Sequence, residues 1–245
     1  MHLNKTPYVK SMLLNQLRGI THTFSARYAE NPFTAGGNFI PVYAVEQVHC
    51  ASVCILDSET KKKLHSMPDW PKEAESYTLP GKHDGIITTL LETAIGIRTA
   101  DCIPVLIAYP GGPVGAFHCG WRGLVRGILL RAAQLFAAYG SLSQCIAAIG
   151  PGICSNCFEV GEEVINEFLA KFPDETRQCI IRSNTRFFLD LKKFVINQLM
   201  TSGFTQNSID ILDFCTYCGH GNVSFFSYRK EKNITARQWS IIMVQ

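Results

Sequence analysis

Nowhere in the 245 residues does an apolar run reach the ~18 uncharged positions that a membrane-spanning helix needs. The start, Met1-His2-Leu3-Asn4-Lys5-Thr6-Pro7, lacks the apolar stretch and small-residue cleavage site of an export signal. Charge is scarce: charged residues make up 18% of the chain and the net charge is +3, too little to argue for nucleic acid or an anionic membrane as partner. Internal repeats and low-complexity tracts are missing too, which excludes solenoids and disordered tails. A hydrophobic content of 47% describes an ordinary globular chain with a sizeable core, and the length allows one large domain or two small ones.

Cysteine is the exception to this scarcity. There are ten. With no export signal they are expected as reduced thiols in the cytoplasm, where a buried cysteine acts as a small hydrophobe.

Strands are expected at 21–26, 40–48, 52–56, 85–89, 95–99, 103–109, 114–118, 145–149, 208–212 and 235–244. These segments are rich in Val, Ile, Thr and Phe and are bounded by turn residues. Three helices stand out. One follows Gly120-Trp121-Arg122-Gly123 and ends at Gly140; the second covers 161–171; the third covers 189–201, stopped by Gly203. The polar segment 57–83, with Lys61-Lys62-Lys63, reads as an exposed excursion between strands. Strands dominate without alternating strictly with helices. The expected class is α+β, with mixed sheets flanked by helices.

Chemistry concentrates around one turn. Ile103 to Tyr109, Pro110-Gly111-Gly112-Pro113 and Val114 to Phe117 form a hairpin pattern. If it is symmetric, Cys102 lies opposite His118, within about 4.5–5.5 Å at Cα, close enough for a thiolate and an imidazole to share one metal. His49, closing the strand 40–48, is the third candidate ligand. Two histidines and one cysteine make a catalytic zinc pattern with the fourth position open. On spacing alone, two half-buried histidines and a core thiol remain the alternative. Asp101 is a candidate proton shuttle or substrate acceptor. The segment 118–123 joins strand to helix, where free N–H groups and Arg122 favour an anion such as phosphate. Gly150-Pro151-Gly152 reads as a simple strand-to-loop turn or as a loop that brings backbone close to a ligand, and Phe226 and Tyr228 as core residues or as faces on which a flat ring could stack. Cys154-Ser155-Asn156-Cys157 and Cys215-Thr216-Tyr217-Cys218 could form a structural zinc knot. Their separation is far longer than the usual about 15–20 residues, so the match is weak.

An ordered set of motifs carries a resemblance over nearly the whole chain from Thr21. It comprises Gln47-Val48-His49, Thr99-Ala100-Asp101-Cys102, His118-Cys119-Gly120-Trp121-Arg122-Gly123, Ile149-Gly150-Pro151-Gly152-Ile153-Cys154, Phe158-Glu159-Val160-Gly161, Cys215-Thr216-Tyr217-Cys218, Phe225-Phe226-Ser227-Tyr228-Arg229 and Arg237-Gln238. It resembles the laccase-domain family, also called multicopper polyphenol oxidase or YfiH-like. The resemblance implies a single αββα-type domain over residues 1–245 and one zinc held by His49, Cys102 and His118. It implies phosphorolysis of purine nucleosides, methylthioadenosine included, and adenosine deamination, with purine nucleosides and phosphate as partners. Asp101 and Arg122 are then the catalytic candidates, and Gln47, Gly150, Gly152 and Arg229 the candidates for holding substrate or phosphate. Some bacterial members are linked instead to editing of peptidoglycan precursors.

Three departures stand out. Cys50 replaces the usual Gly after His49. Cys119 replaces the usual Ala after His118. The stretch from Arg27 to Gln47, through Gly36-Gly37-Asn38-Phe39, is short. The two extra thiols could compete for soft metals. A true multicopper oxidase needs many histidines; seven, with no His-x-His pair, fit badly, although copper could occupy the single site. A Cys–His hydrolase with Cys102 as nucleophile and His118 as base would use the same residues. A non-enzymatic protein with a structural metal would turn over no nucleoside.

Overall fold

A computed structural model describes residues 8–27, 34–35, 38–71, 73–219 and 221–245. Two six-stranded mixed sheets dominate it. The first runs in the order Tyr8–Val9, Ile20–Ser25, Gln238–Val244, Ala94–Thr99, Val42–Glu46, Ser76–Lys82. The second runs Ile209–Ile211, Ile146–Ile149, Ile103–Ala108, Val114–Cys119, Gly85–Thr88, Val53–Leu56.

The central strands read as unbroken apolar runs because both of their faces are buried, and the two-residue repeat of a strand sorts them between two cores. From Ile103–Ala108, Ile103, Val105 and Ile107 face a helix-side core with Leu129, Phe136, Phe168 and Phe194. The alternate residues Leu106 and Ala108 face the first sheet and meet Phe24, Val45, Ile97 and Ile242. Each such large side chain contributes about 1.5–3 kcal/mol by leaving water. The expected mixed sheets flanked by helices are present. Among the described residues no helix is long and apolar enough to cross a membrane.

Local differences have local causes. The expected helix after Gly120 is two helices, Trp121–Val125 and Ile128–Ala137, because Gly127 takes a left-handed φ of 88° between them. The polar segment 57–83 is not a plain excursion. Asp57 caps a helix, Ser58–His65, by accepting from Thr60 N at 2.7 Å. Beyond it, Ser76–Lys82 adds an edge strand parallel to Val42–Glu46, burying alternate residues Tyr77 and Leu79. A small sheet of Glu159–Val160, Ile180–Ser183 and Arg186–Leu189 was not foreseen. The Met1 to Pro7 start and Gly36-Gly37 of the shortened stretch lie outside the described residues.

Candidate metal centre

The hairpin forms, but its register is not the symmetric one expected. Ala108 pairs with Val114, which centres the turn on Gly111, so Pro104 rather than Cys102 lies opposite His118. Cys102 sits two residues before Pro104, outside the strand. A shift of two preserves the face, leaving Cys102 as a diagonal neighbour of His118 on the same side of the sheet. That side faces the first sheet, beyond whose strand Val42–Glu46 the chain turns through His49.

Ligand atoms of His49, Cys102 and His118 all lie within 4.8 Å of one another. Cys102 Sγ is 3.9 Å from His49 Nε2, and the two imidazole centroids are 4.8 Å apart. Donors around one tetrahedral zinc stand roughly 3.5 Å apart, so a small contraction would close the set. Gly120 leaves room for them: a Cβ there would come within 2.7 Å of His49 Cδ2 and 3.0 Å of Cys102 Sγ. The chemistry of the set, two imidazoles and one thiolate beside a cavity, fits a catalytic zinc.

Asp84, which sequence reasoning passed over, organises this centre. It is completely buried. Oδ1 accepts from His118 Nδ1 at 2.6 Å and from the backbone N of His49 at 3.0 Å. Oδ2 accepts from the backbone N–H groups of Val48 and Cys50 at 3.0 and 2.7 Å. One carboxylate thus orients a ligand ring and holds the loop bearing another ligand. Burial works against its charge, but His118 and the backbone donors hold the carboxyl far below the usual range. The signal in the sequence was slight, a single acid opening the apolar strand Gly85–Thr88. Arg126 adds a brace by donating to His49 O at 2.8 Å. His49 and Asp101 both take left-handed φ values, 60° and 88°. Non-glycine residues at such angles carry strain of order 1–3 kcal/mol, which the hydrogen bonds around them offset.

Burial also opposes charge on Cys102 and His118. Their mutual attraction and hydrogen bonding overcome it: the Cys102 thiol is drawn down to about 6, and His118, supported by Asp84, is raised to about 9. Each thus favours the charged form of the other, thiolate with imidazolium. The extra thiols stand apart from this set. Cys119 faces the helix-side core, and Cys50 Sγ lies 3.8 Å from Lys82 O.

These ligands open on a cavity of about 690 Å³, within the ordinary size for small-molecule sites. Of the sequence-derived residues, Gln47, Asp101, Arg122, Tyr228 and Arg229 line it with the three ligands. Asp101 is buried and accepts from Thr216 Oγ1 at 2.6 Å and from Arg229 N at 2.7 Å. Gln47 spends both ends of its amide on the backbone of Arg98, at 2.7 and 2.8 Å, tying the His49 loop to the strand Ala94–Thr99. Arg122 lies over the Trp121 ring at 4.2 Å, in a helix of five residues. Arg229 donates to Glu159 O at 3.0 Å. Arg98, Arg237 and Phe158 join the lining without having been singled out individually, although each stood in or beside a quoted motif.

Gly150 and Gly152 are placed elsewhere. Both are buried and absent from the cavity wall. A Cβ on Gly150 would strike the Phe24 ring at 2.3 Å, and one on Gly152 would strike Ile103 Cδ1 at 2.4 Å. The close backbone approach they permit is to the protein's own core. Phe226 is also outside the cavity, under the Arg27 guanidinium at 4.6 Å.

The chain is similar to several known proteins. A purine nucleoside phosphorylase of Deinococcus radiodurans is 33% identical over 161 residues, 65% of this chain but only 60% of that protein. Adenosine deaminase RL5, from an unknown prokaryotic organism, is 34% identical over 188 residues, 75% of this chain and 68% of that protein. The crystal structure of YlmD from Geobacillus stearothermophilus superposes with a TM-score of 0.79 over 99% of this chain and 98% of that one; at 22% identity it speaks for the fold. The family model described as multi-copper polyphenol oxidoreductase laccase matches residues 32–245. That match takes in the candidate ligand loops, the cavity wall, the whole second sheet and four of the six strands of the first, and the chain belongs to this laccase-like family.

Proposed function

We propose that the protein is a zinc-dependent purine nucleoside phosphorylase that also deaminates adenosine and cleaves methylthioadenosine. The observation that carries this is the convergence of His49, Cys102 and His118 on a cavity rimmed by Arg98, Arg122, Arg229 and Arg237. A Lewis acid beside a cationic rim suits a substrate pair of heterocycle and phosphate. The names of the two relatives, a phosphorylase and a deaminase, support the same pair of reactions.

His49, Cys102 and His118 would hold the metal, which when bound supplies Lewis acidity and eases ionisation of water near neutral pH. Phosphorolysis leaves an electron-poor ribose carbon. The arginines would hold phosphate against it and offset charge by bidentate contacts. Phe158 and Tyr228 offer aromatic faces for the base. Asp101 would move a proton to or from the departing group. Thr216 and Arg229 fix its carboxylate, and each oxygen keeps a lone pair beyond the one it shares.

Incubation of the zinc-loaded protein with adenosine, with and without phosphate, tests the reading. Phosphate-dependent adenine with ribose 1-phosphate reports phosphorolysis; inosine reports deamination. Cys102→Ala should lose the metal of this site together with turnover, and full phosphorolysis by that variant would rule the scheme out.

The thiolate–imidazolium pair favours a second reading, a Cys–His hydrolase with Cys102 as nucleophile. Alkylation would stop such an enzyme and chelation would not. An oxidase reading has less support. Among the described residues the two candidate metal groups are this set of two histidines and a cysteine and a cluster of four cysteines, and neither resembles a trinuclear copper cluster.

A further inference from the structure

The two Cys-x-x-Cys pairs, too distant in sequence to read as a knot, meet in space. Sγ atoms of Cys154, Cys157, Cys215 and Cys218 all lie within 4.8 Å of one another. Cys154 and Cys215 are 61 positions apart, and a parallel bridge between Gly152 and Cys215 closes that gap. Gly152 N donates to Phe214 O at 3.3 Å and Thr216 N to Gly152 O at 3.2 Å. Each pair then folds into a tight turn that presents both sulfurs to one side. Cys157 N donates to Cys154 O at 3.0 Å and Gly219 N to Cys215 O at 2.9 Å.

We infer that these four cysteines form a second metal site, a structural four-thiolate zinc centre that clamps the cavity wall behind Asp101. Four sulfurs around a tetrahedral zinc stand about 3.8 Å apart, a modest contraction from the observed cluster. Backbone N–H groups already point at one sulfur: Cys154 N and Cys218 N approach Cys215 Sγ at 3.3 and 3.5 Å. Such donors orient a metal-bound thiolate and disperse its charge. Lys230 Nζ donates to Tyr217 O at 3.2 Å, placing a cation on the Cys215–Cys218 turn, where a zinc with four thiolates is anionic. Core packing does not account for the group, since Cys154 and Cys157 are half-buried and Cys218 is exposed. The clamp reaches the cavity through immediate neighbours. Ile153 N donates to Asp101 O at 2.9 Å, Thr216 Oγ1 holds Asp101 Oδ1 at 2.6 Å, and Phe158 lines the cavity itself.

Metal counting on the full chain, purified under reducing, anaerobic conditions, tests this. Wild type should carry about two zinc per chain, and Cys102→Ala and Cys218→Ser about one each. Because Cys218 is exposed, Cys218→Ser is not expected to disturb folding, which circular dichroism checks. In cobalt-exchanged Cys102→Ala, intense thiolate-to-metal absorption should appear, and it should vanish when Cys154 and Cys218 are also replaced by serine. A wild type with a single zinc, lost in Cys102→Ala and kept in Cys218→Ser, overturns the inference. So does recovery of these four residues as disulfides, or of iron with inorganic sulfide. Each of these readouts is independent of nucleoside turnover, so failure of the phosphorylase reading would leave the result standing.

Discussion

Asp84 accepts a hydrogen bond from His118, Oδ1 to Nδ1 at 2.6 Å, deep between the two sheets. An ionised carboxylate only accepts, so His118 carries its proton on Nδ1 and Nε2 is left for a metal. Asp84→Asn keeps the shape but turns an NH2 group toward donors. Zinc affinity is expected to fall about 10–100-fold, measured by competition with a chromogenic chelator. Unchanged affinity would mean that Asp84 serves the loop alone.

Gly120 is the space in which the ligands meet. Gly120→Ala would put a methyl 2.7 Å from His49 Cδ2 and 3.0 Å from Cys102 Sγ. Neither atom is the free end of a flexible chain. Zinc affinity at this site should drop at least on the order of tenfold while circular dichroism stays native, because the clash is confined to these side chains.

His22 sets an acid limit on stability. Its ring is buried in the strand Ile20–Ser25, and Nε2 accepts from Ser11 N at 2.9 Å. Burial, with a smaller push from Lys10 and a weaker opposing pull from Asp210, lowers it from 6.5 to about 4. Between those values the unfolded chain binds the proton and the folded one does not. The stability in question is therefore present above 6.5 and is lost progressively as pH falls toward 4, by up to roughly 3 kcal/mol. Urea midpoints measured from pH 7 down to 4 should fall less steeply for His22→Gln, which keeps an acceptor and cannot titrate. Parallel curves would assign the acid limit to other groups.

Arg122 separates the two proposed reactions. Its guanidinium is exposed, lies on Trp121 and lines the cavity. In Arg122→Ala the KM for phosphate should rise on the order of tenfold, the equivalent of one charged hydrogen bond. Deamination of adenosine needs no phosphate and should be spared. Equal loss of both activities would place Arg122 on the nucleoside instead.

Much of the site could be read from the chain because its residues stand at ends of regular elements. His118 closes an apolar strand, Cys102 precedes one, and Gly120 follows. Residues whose role lies in long-range hydrogen bonds escaped. Asp84 reaches four donors drawn from residues 48–50 and 118, none of them near it in sequence. Gly150 and Gly152 show the converse: a glycine announces close approach but not to what, and here the neighbours are Phe24 and Ile103.

The order of residues alone determined the period-two apolar strands, the hairpin turn and the face shared by Cys102 and His118, since these follow from backbone geometry over a few positions. Where distant segments meet was decided by the packed sheets. The Gly152–Cys215 bridge, the four-cysteine cluster and the nest around Asp84 depend on chain closures from 34 residues, Cys50 to Asp84, up to more than 60, Gly152 to Cys215. No local propensity encodes such closures; burial of the two cores produces them.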